Sequence, residues 1–170
     1  MDEADTLRTL LNPETGSKNY FDFEADFVED NVRCIPMIVR FKLDAVGIKL
    51  KLHEWSRLTA EERTFLAIIP ADDQLAVKAY RVLLTGLIKK RAGHEATELP
   101  VDDAPAWNMT DTVPAVLREK ANEVGSSIST SQWQQLSDLQ RFALMKLCRP
   151  GHENRNFPKA MREFGLIETT

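Results

Sequence analysis

The sequence predicts an all-α protein, and three observations carry that prediction. Proline and glycine bracket helix-forming stretches at 36–47 and 114–125. Two S/T-x-x-E/Q signatures, Thr59 with Glu62 and Ser137 with Gln140, read as capping boxes that open further helices. A single longer run at about 72–91, "DDQLAVKAYRVLLTGLIKKR", carries acids at its start and bases at its end, which complements a helix dipole.

Taken in order, residues 1–19 contain "NPETGSKN", polar and turn-forming, and are expected to be a flexible lead-in. A single all-α domain over 20–170 is expected to follow. It begins at "YFDFEADFVEDNVRCIP", where Phe23 and Phe27, four apart, can share one helical face. The next stretch, "VRFKLDAVGIKLKLHEW" at 39–55, is ambiguous. Val39, Phe41 and Leu43, then Ile48, Leu50 and Leu52, alternate as in a hairpin turning at Gly47, yet Pro36 and Gly47 equally bracket a helix.

An ungapped self-match resolves the ambiguity. Residues 36–66 align with 114–144 at a shift of 78, with nine identities over 31 positions. Pro36, Val46, Gly47, Trp55, Leu58, Arg63 and Leu66 each find their counterpart, down to Trp133, Arg141 and Leu144. The second copy, "PAVLREKANEVG", has good helix formers and no alternation, so helix is expected in both. The expected architecture is two pseudo-repeated helical units, about 36–69 and 114–149, joined by a longer central helix. Each unit reads as helix, linking stretch, a short turn around its tryptophan, then a capped helix. Trp55 and Trp133 are expected to wedge between the helices of their units. In the second copy Leu139, Phe142, Ala143 and Leu147 form an apolar stripe, and on the central helix Leu75, Ala79, Val82 and Leu83 are read as the buried face. The connector "HEATELPVDDAPAWNMTDTV" is too polar for core, with Trp107 as an anchor. A last short helix is expected to be capped by Asn156, with Pro158 in its first turn.

Composition narrows the function classes. A chain of 170 residues with 43% hydrophobic and 28% charged residues is expected to fold, and its net charge of −4 gives no general attraction to nucleic acid or anionic lipid. No apolar run reaches the length of a membrane span, and the acidic start is unlike a signal peptide. Two cysteines, Cys34 and Cys148, make no disulfide framework and suit a cytoplasmic location. Cys34 is read as a small buried hydrophobe. Glycine-rich nucleotide loops, a G-x-S-x-G elbow, H-E-x-x-H and C-x-x-C are all missing.

Two charged stretches remain as candidate surfaces. One is the basic segment with Arg33, Arg40, Lys42, Lys49 and Lys51 against Asp44 alone, read as a solvated face or as an anion or partner site. The other is "CRPGHENRNF", which gathers Cys148, Arg149, His152, Glu153, Asn154 and Arg155 at a helix end. Its simplest role is to satisfy loop backbone groups. It could also contact an anion or partner, and Cys148 with His152 could form a metal half-site or an activated thiol, given a further ligand or base. His53 and His94 have no ligand spacing and are expected to be isolated surface or cap residues.

The segments "RCIPMIVRFKLD", "GIKLKL", "AYRVLLTGLI", "LQRFALMKL" and "RPGHENRNF", in this order, resemble the nitrate reductase associated proteins, over about residues 20–167. That family has no established biochemical activity and no assigned catalytic residues, so none is carried over. The resemblance implies a cytoplasmic, non-catalytic accessory protein of nitrate assimilation, with nitrate reductase or a molybdenum-cofactor biosynthesis protein as partner and no cofactor of its own. The contact residues expected are Arg149, His152, Glu153, Asn154 and Arg155, with Arg33 and Arg40 second. A rival expectation is a binder of an anionic small molecule, such as a molybdopterin fragment, nitrate or molybdate, held by arginines beside helix ends.

Overall fold

The structure, a computed structural model, describes residues 20–150 and 155–167. The chain divides into two compact units, Met1–Val101 and Asp102–Thr170. The lead-in expected over residues 1–19 lies outside the described residues.

Unit 1 opens with a 3-10 turn at Asp22–Glu24 and continues through α1 (Ala25–Glu29), α2 (Met37–Val46), β1 (Ile48–Lys49), α3 (Leu52–Arg57), α4 (Ala60–Ile68), α5 (Gln74–Ala92) and β2 (Thr97–Glu98). The disputed stretch is helical, as the self-match requires. Pro36 stands at the N-cap of α2 and Gly47 ends it in the left-handed region at φ +70°. The all-α expectation needs one correction. Ile48 and Lys49 pair antiparallel with Glu98 and Thr97, so part of the alternating pattern is a real, two-residue strand. The connector at 97–98 supplies the partner edge, which no local signal announces.

Gly47 is where this junction is tightest. Its carbonyl accepts the Leu99 N–H at 2.8 Å, and a Cβ on it would lie 2.7 Å from the Leu99 carbonyl oxygen and 3.1 Å from Val101 Cγ2. Gly125, at φ +74°, would meet nothing within 4 Å. Gly125→Ala is therefore expected to cost only the left-handed backbone term of about 1–2 kcal/mol. Gly47→Ala should cost clearly more, because β1 and β2 must separate to admit the methyl group. Urea unfolding of the two variants checks the order.

Helix α5 packs against α2 and α3, so it is built into unit 1 rather than only linking two units. Its buried side chains are Tyr80, Leu84 and Ile88, an i, i+4, i+8 row, with Val77, Leu83 and Leu87 partly covered. The expected face is thus corrected: Leu83 touches the core, but Leu75 and Val82 are 79% and 73% exposed and Ala79 is exposed. Apolar residues run around more than half of this helix, and only the positions of its neighbours select the inward row. The expected end charges are in place. Asp73 accepts the Ala76 N–H at 2.7 Å, and Lys89, Lys90 and Arg91 fill the last turn.

Unit 1 closes over a core that includes Val39, Leu43, Val46, Trp55, Leu66, Tyr80, Leu84 and Ile88. Two buried charges are part of its framework. Glu24, on the opening turn, accepts the Met37 N–H at 2.7 Å and so caps α2 from thirteen residues away. Lys42 donates to the Ala67 and Ile69 carbonyls at 2.7 and 2.6 Å, neutralising the C-terminal end of α4.

Unit 2 comprises a 3-10 turn at Ala106–Asn108, then α6 (Ala115–Glu123), α7 (Thr130–Gln135), α8 (Asp138–Leu147) and α9 (Phe157–Glu163). Its buried residues include Leu117, Trp133, Phe142, Ala143, Leu144, Leu147, Phe157 and Met161, and α8 packs on α9 and on the 3-10 turn. The expected stripe on α8 is buried except for Leu139, which is half-buried. Asn156 does occupy the N-cap of α9 with Pro158 in the first turn, but its side chain makes no capping bond.

Both tryptophans are completely buried and each is tied by its indole. Trp55 Nε1 donates to the Val32 carbonyl at 2.8 Å, and Trp133 Nε1 to the Met109 carbonyl at 2.9 Å. Each also lies under an arginine from the following helix, Arg63 over Trp55 and Arg141 over Trp133, both 5.9 Å from the ring centre. Both predicted capping boxes close, and a third does so at the start of the second tryptophan turn, Ser129 with Gln132; at the start of the first, Glu54 accepts the Lys51 N–H, which is half of such a box.

Candidate functional site

The basic segment of unit 1 does not act as one surface. Lys42 is buried, as described, and burial lowers its pKa to about 8 despite the opposing charge of Asp72. The exposed Arg33 pairs with Asp30 at 3.1 Å. Arg40 is half-buried, and its Nε donates to the Ile35 carbonyl at 3.0 Å, closing the turn that precedes α2. The nitrogens that sequence marked for an anion or partner thus serve the fold at Lys42 and Arg40. Lys49 and Lys51 remain exposed.

In unit 2, Arg149 is exposed just past α8 and Arg155 is exposed ahead of α9. His152, Glu153 and Asn154 lie outside the described residues, so the proposed Cys148–His152 pair does too. Cys148 itself is half-buried at the C-cap of α8. Burial pushes its thiol up to about 11, with Lys120 opposing and Glu123 reinforcing the shift. Such a thiol is not a poised nucleophile. In a Cys34→Ser background, iodoacetamide is expected to alkylate Cys148 about a hundredfold more slowly at pH 7 than an unperturbed cysteine. The rate should rise about tenfold per pH unit up to about 11, because the thiolate is the reacting form. Cys34 is likewise half-buried and free.

An open depression in unit 2 is lined by Asn122, Gly125, Ser126, Ser127, Gln132, Gly165 and Leu166. It is polar and its lining includes no lysine or arginine.

The structure assembles one constellation that sequence spacing does not reveal. His53 and Glu54 are the second and third residues of α3, and His94 follows Gly93, whose left-handed backbone (φ +79°) ends α5. Packing of α3 on α5, together with the β1–β2 pairing, returns residue 94 to the N-terminus of α3. The ligand-capable atoms of His53, Glu54 and His94 all lie within 4.8 Å of one another. The two rings are 6.4 Å apart, tilted by 53°, and both are exposed, whereas the Glu54 side chain is fully buried. Glu54 Oε2 accepts the Lys51 N–H at 2.8 Å as part of the cap. Oε1 has no hydrogen-bond partner, and His94 Nε2 stands 3.4 Å from it. The expectation that His53 and His94 are isolated is therefore corrected, although both are at the surface as expected.

Comparison with known proteins adds one finding. A family model described as conserved nitrate reductase-associated protein matches residues 20–164, while no curated protein and no solved structure matches the chain. Among the described residues no helix is long and apolar enough to cross a membrane. With 145 of its 170 residues inside that match, the chain belongs to the conserved nitrate reductase-associated protein family.

Proposed function

We propose that this protein is a non-catalytic accessory factor of nitrate assimilation. It binds nitrate reductase, or the machinery that delivers the molybdenum cofactor to it, and assists maturation or regulation. The observation that carries this reading is the family match over residues 20–164. One feature agrees with it: burial raises the Cys148 thiol to about 11, away from the range of an activated nucleophile. We assign contact with the partner to the segment that follows α8, through Arg149 and Arg155 and the intervening His152, Glu153 and Asn154.

The two units are further read as products of one duplication. The buried tryptophan tied to a carbonyl upstream, the arginine above it and the two successive Glu or Gln side chains that accept the N-cap N–H three residues back recur in the same order in each.

The test is affinity capture of the tagged protein from nitrate-grown cells, with mass spectrometry of what it retains. Specific recovery of nitrate reductase or a cofactor-biosynthesis enzyme, lost in an Arg149→Glu, Arg155→Glu double variant, is the expected result. Recovery of neither enzyme would sink the accessory reading, and recovery undiminished in the double variant would move the contact away from this segment.

A further inference from the structure

We propose that His53, Glu54 and His94 bind one divalent transition-metal ion of the zinc class at the surface of unit 1. The proposal stands apart from the accessory role and does not depend on it.

The first reason is an unmatched carboxylate oxygen. Unit 1 has three glutamates that cap helices or turns, Glu24, Glu54 and Glu62, and Glu24 uses both oxygens, accepting the Phe21 N–H at 3.2 Å and the Met37 N–H at 2.7 Å. In Glu62 the second oxygen is met by the Arg91 guanidinium at 2.7 Å, and this pairing lowers its pKa. In Glu54 the second oxygen is buried, accepts no hydrogen bond, and has His94 Nε2 3.4 Å away. A buried carboxylate left in that state is costly unless a cation meets it. The cap does not require the charge, either. At the corresponding place in α7, Gln132 makes the same bond to the Ser129 N–H at 2.9 Å with an amide oxygen.

The second reason is the state of His94. Its Nδ1 lies 3.0 Å from the Glu95 carbonyl oxygen, an acceptor only, so Nδ1 carries the proton. In the neutral ring Nε2 then presents a lone pair to a carboxylate oxygen, an arrangement that requires a positive centre between them. A proton on Nε2 would draw the two atoms to about 2.7–2.9 Å in a charge-assisted hydrogen bond. They stand 3.4 Å apart. Zinc bonds of about 2.1 Å at the tetrahedral angle set neighbouring ligand atoms about 3.4 Å apart.

The surroundings are those of a built ligand set. The Lys51 N–H holds Glu54, and the Glu95 carbonyl holds the far nitrogen of His94, a hydrogen bond that typically orients a ligating imidazole. Imidazole nitrogens with one carboxylate select zinc-class ions over magnesium or calcium. Three protein ligands leave the fourth tetrahedral position open, and the exposed rings give an ion access from solvent.

Tag-free, full-length protein dialysed against chelator and titrated with zinc chloride in a calorimeter tests the proposal, with cobalt(II) absorption as a geometric readout. One equivalent should bind, and cobalt should give the intense visible bands of a tetrahedral ion. Glu54→Gln, which keeps the cap, and His94→Ala should each weaken binding by at least about tenfold. Circular dichroism confirms that the variants remain folded. Absence of binding overturns the proposal. So does binding unchanged in both variants, or binding abolished by Cys148→Ser instead, which would place the ion at the segment after α8. Nitrogen-detected NMR showing Nε2 of His94 protonated and indifferent to added zinc would assign the pair to an imidazolium–carboxylate contact.

Discussion

Arg141→Ala is expected to lower stability by about 2–4 kcal/mol, since two backbone carbonyls each lose a charged donor at about 1–3 kcal/mol, while the exposed Asp138 adds little. The residue is 5% exposed and its guanidinium joins three parts of unit 2. Nε donates to the Trp107 carbonyl at 2.7 Å, Nη1 to the Leu136 carbonyl and Nη2 to Asp138, while the plane lies over Trp133. Alanine would leave the Leu136 and Trp107 carbonyls without their donor and uncover the indole. Arg141→Lys should recover only a small part, since an ammonium cannot span acceptors set for a planar fork. Arg63 performs a similar task in unit 1, donating to the carbonyls of Trp55, Asn31 and Ser56 at 3.1, 2.9 and 2.9 Å, but it is half-buried. Arg63→Ala should therefore cost less than Arg141→Ala. Urea unfolding followed by circular dichroism measures both, and a loss below about 1 kcal/mol for Arg141→Ala, the worth of one ordinary hydrogen bond, would rule out this bridging role.

Trp55→Ala is expected to cost about 3–5 kcal/mol through the cavity it opens. Its indole N–H has a second task. Asn31 and Val32 both take positive φ, 53° and 52°, a conformation that a β-branched valine strongly disfavours. Backbone bonds from the Val32 N–H to the Val28 carbonyl and from the Arg33 N–H to the Phe27 carbonyl close this turn, and two side chains hold it from outside: Trp55 Nε1 donates to the Val32 carbonyl and Arg63 to the Asn31 carbonyl. Trp55→Phe keeps most of the apolar volume but leaves the Val32 carbonyl without its donor, and should cost about 1–3 kcal/mol. Combined with Arg63→Ala, it should show a loss larger than the sum of the single variants, because the two side chains hold neighbouring carbonyls of one turn and the first removal leaves a single side chain on it. Strict additivity would mean that the turn is secured by other means.

Much that is governed by residues three or four apart was legible before the structure, although the Ser129–Gln132 box, of the same spacing, was not. The proline and glycine at the ends of α2, the boxes at Thr59 and Ser137, the charges at the ends of α5 and the resolution of helix over hairpin all rest on local geometry, and the self-match reinforced them. Burial of Trp55 and Trp133 was legible for a related reason, since large apolar side chains at fixed positions beside capped helices have few other places to go.

What escaped the sequence depends on contacts between distant segments. Helix α5 offers more than one apolar row, and α2 and α3 decide that Tyr80, Leu84 and Ile88 face inward while Leu75 and Val82 do not. Lys42 reads as one more base in a basic stretch until the carbonyls at 67 and 69 are brought to its nitrogen. Two residues of alternation at 48–49 become a strand only because 97–98 return to pair with them. The same return brings His94 to Glu54, forty positions earlier in the chain. Sequence alone determined this protein's main helices, the caps at Thr59 and Ser137 and its family, because short-range hydrogen bonding and side-chain type carry that information. Which faces are buried, which charges are spent inside the fold and which three side chains converge on one point were decided by tertiary structure, since each requires segments that no local interaction connects.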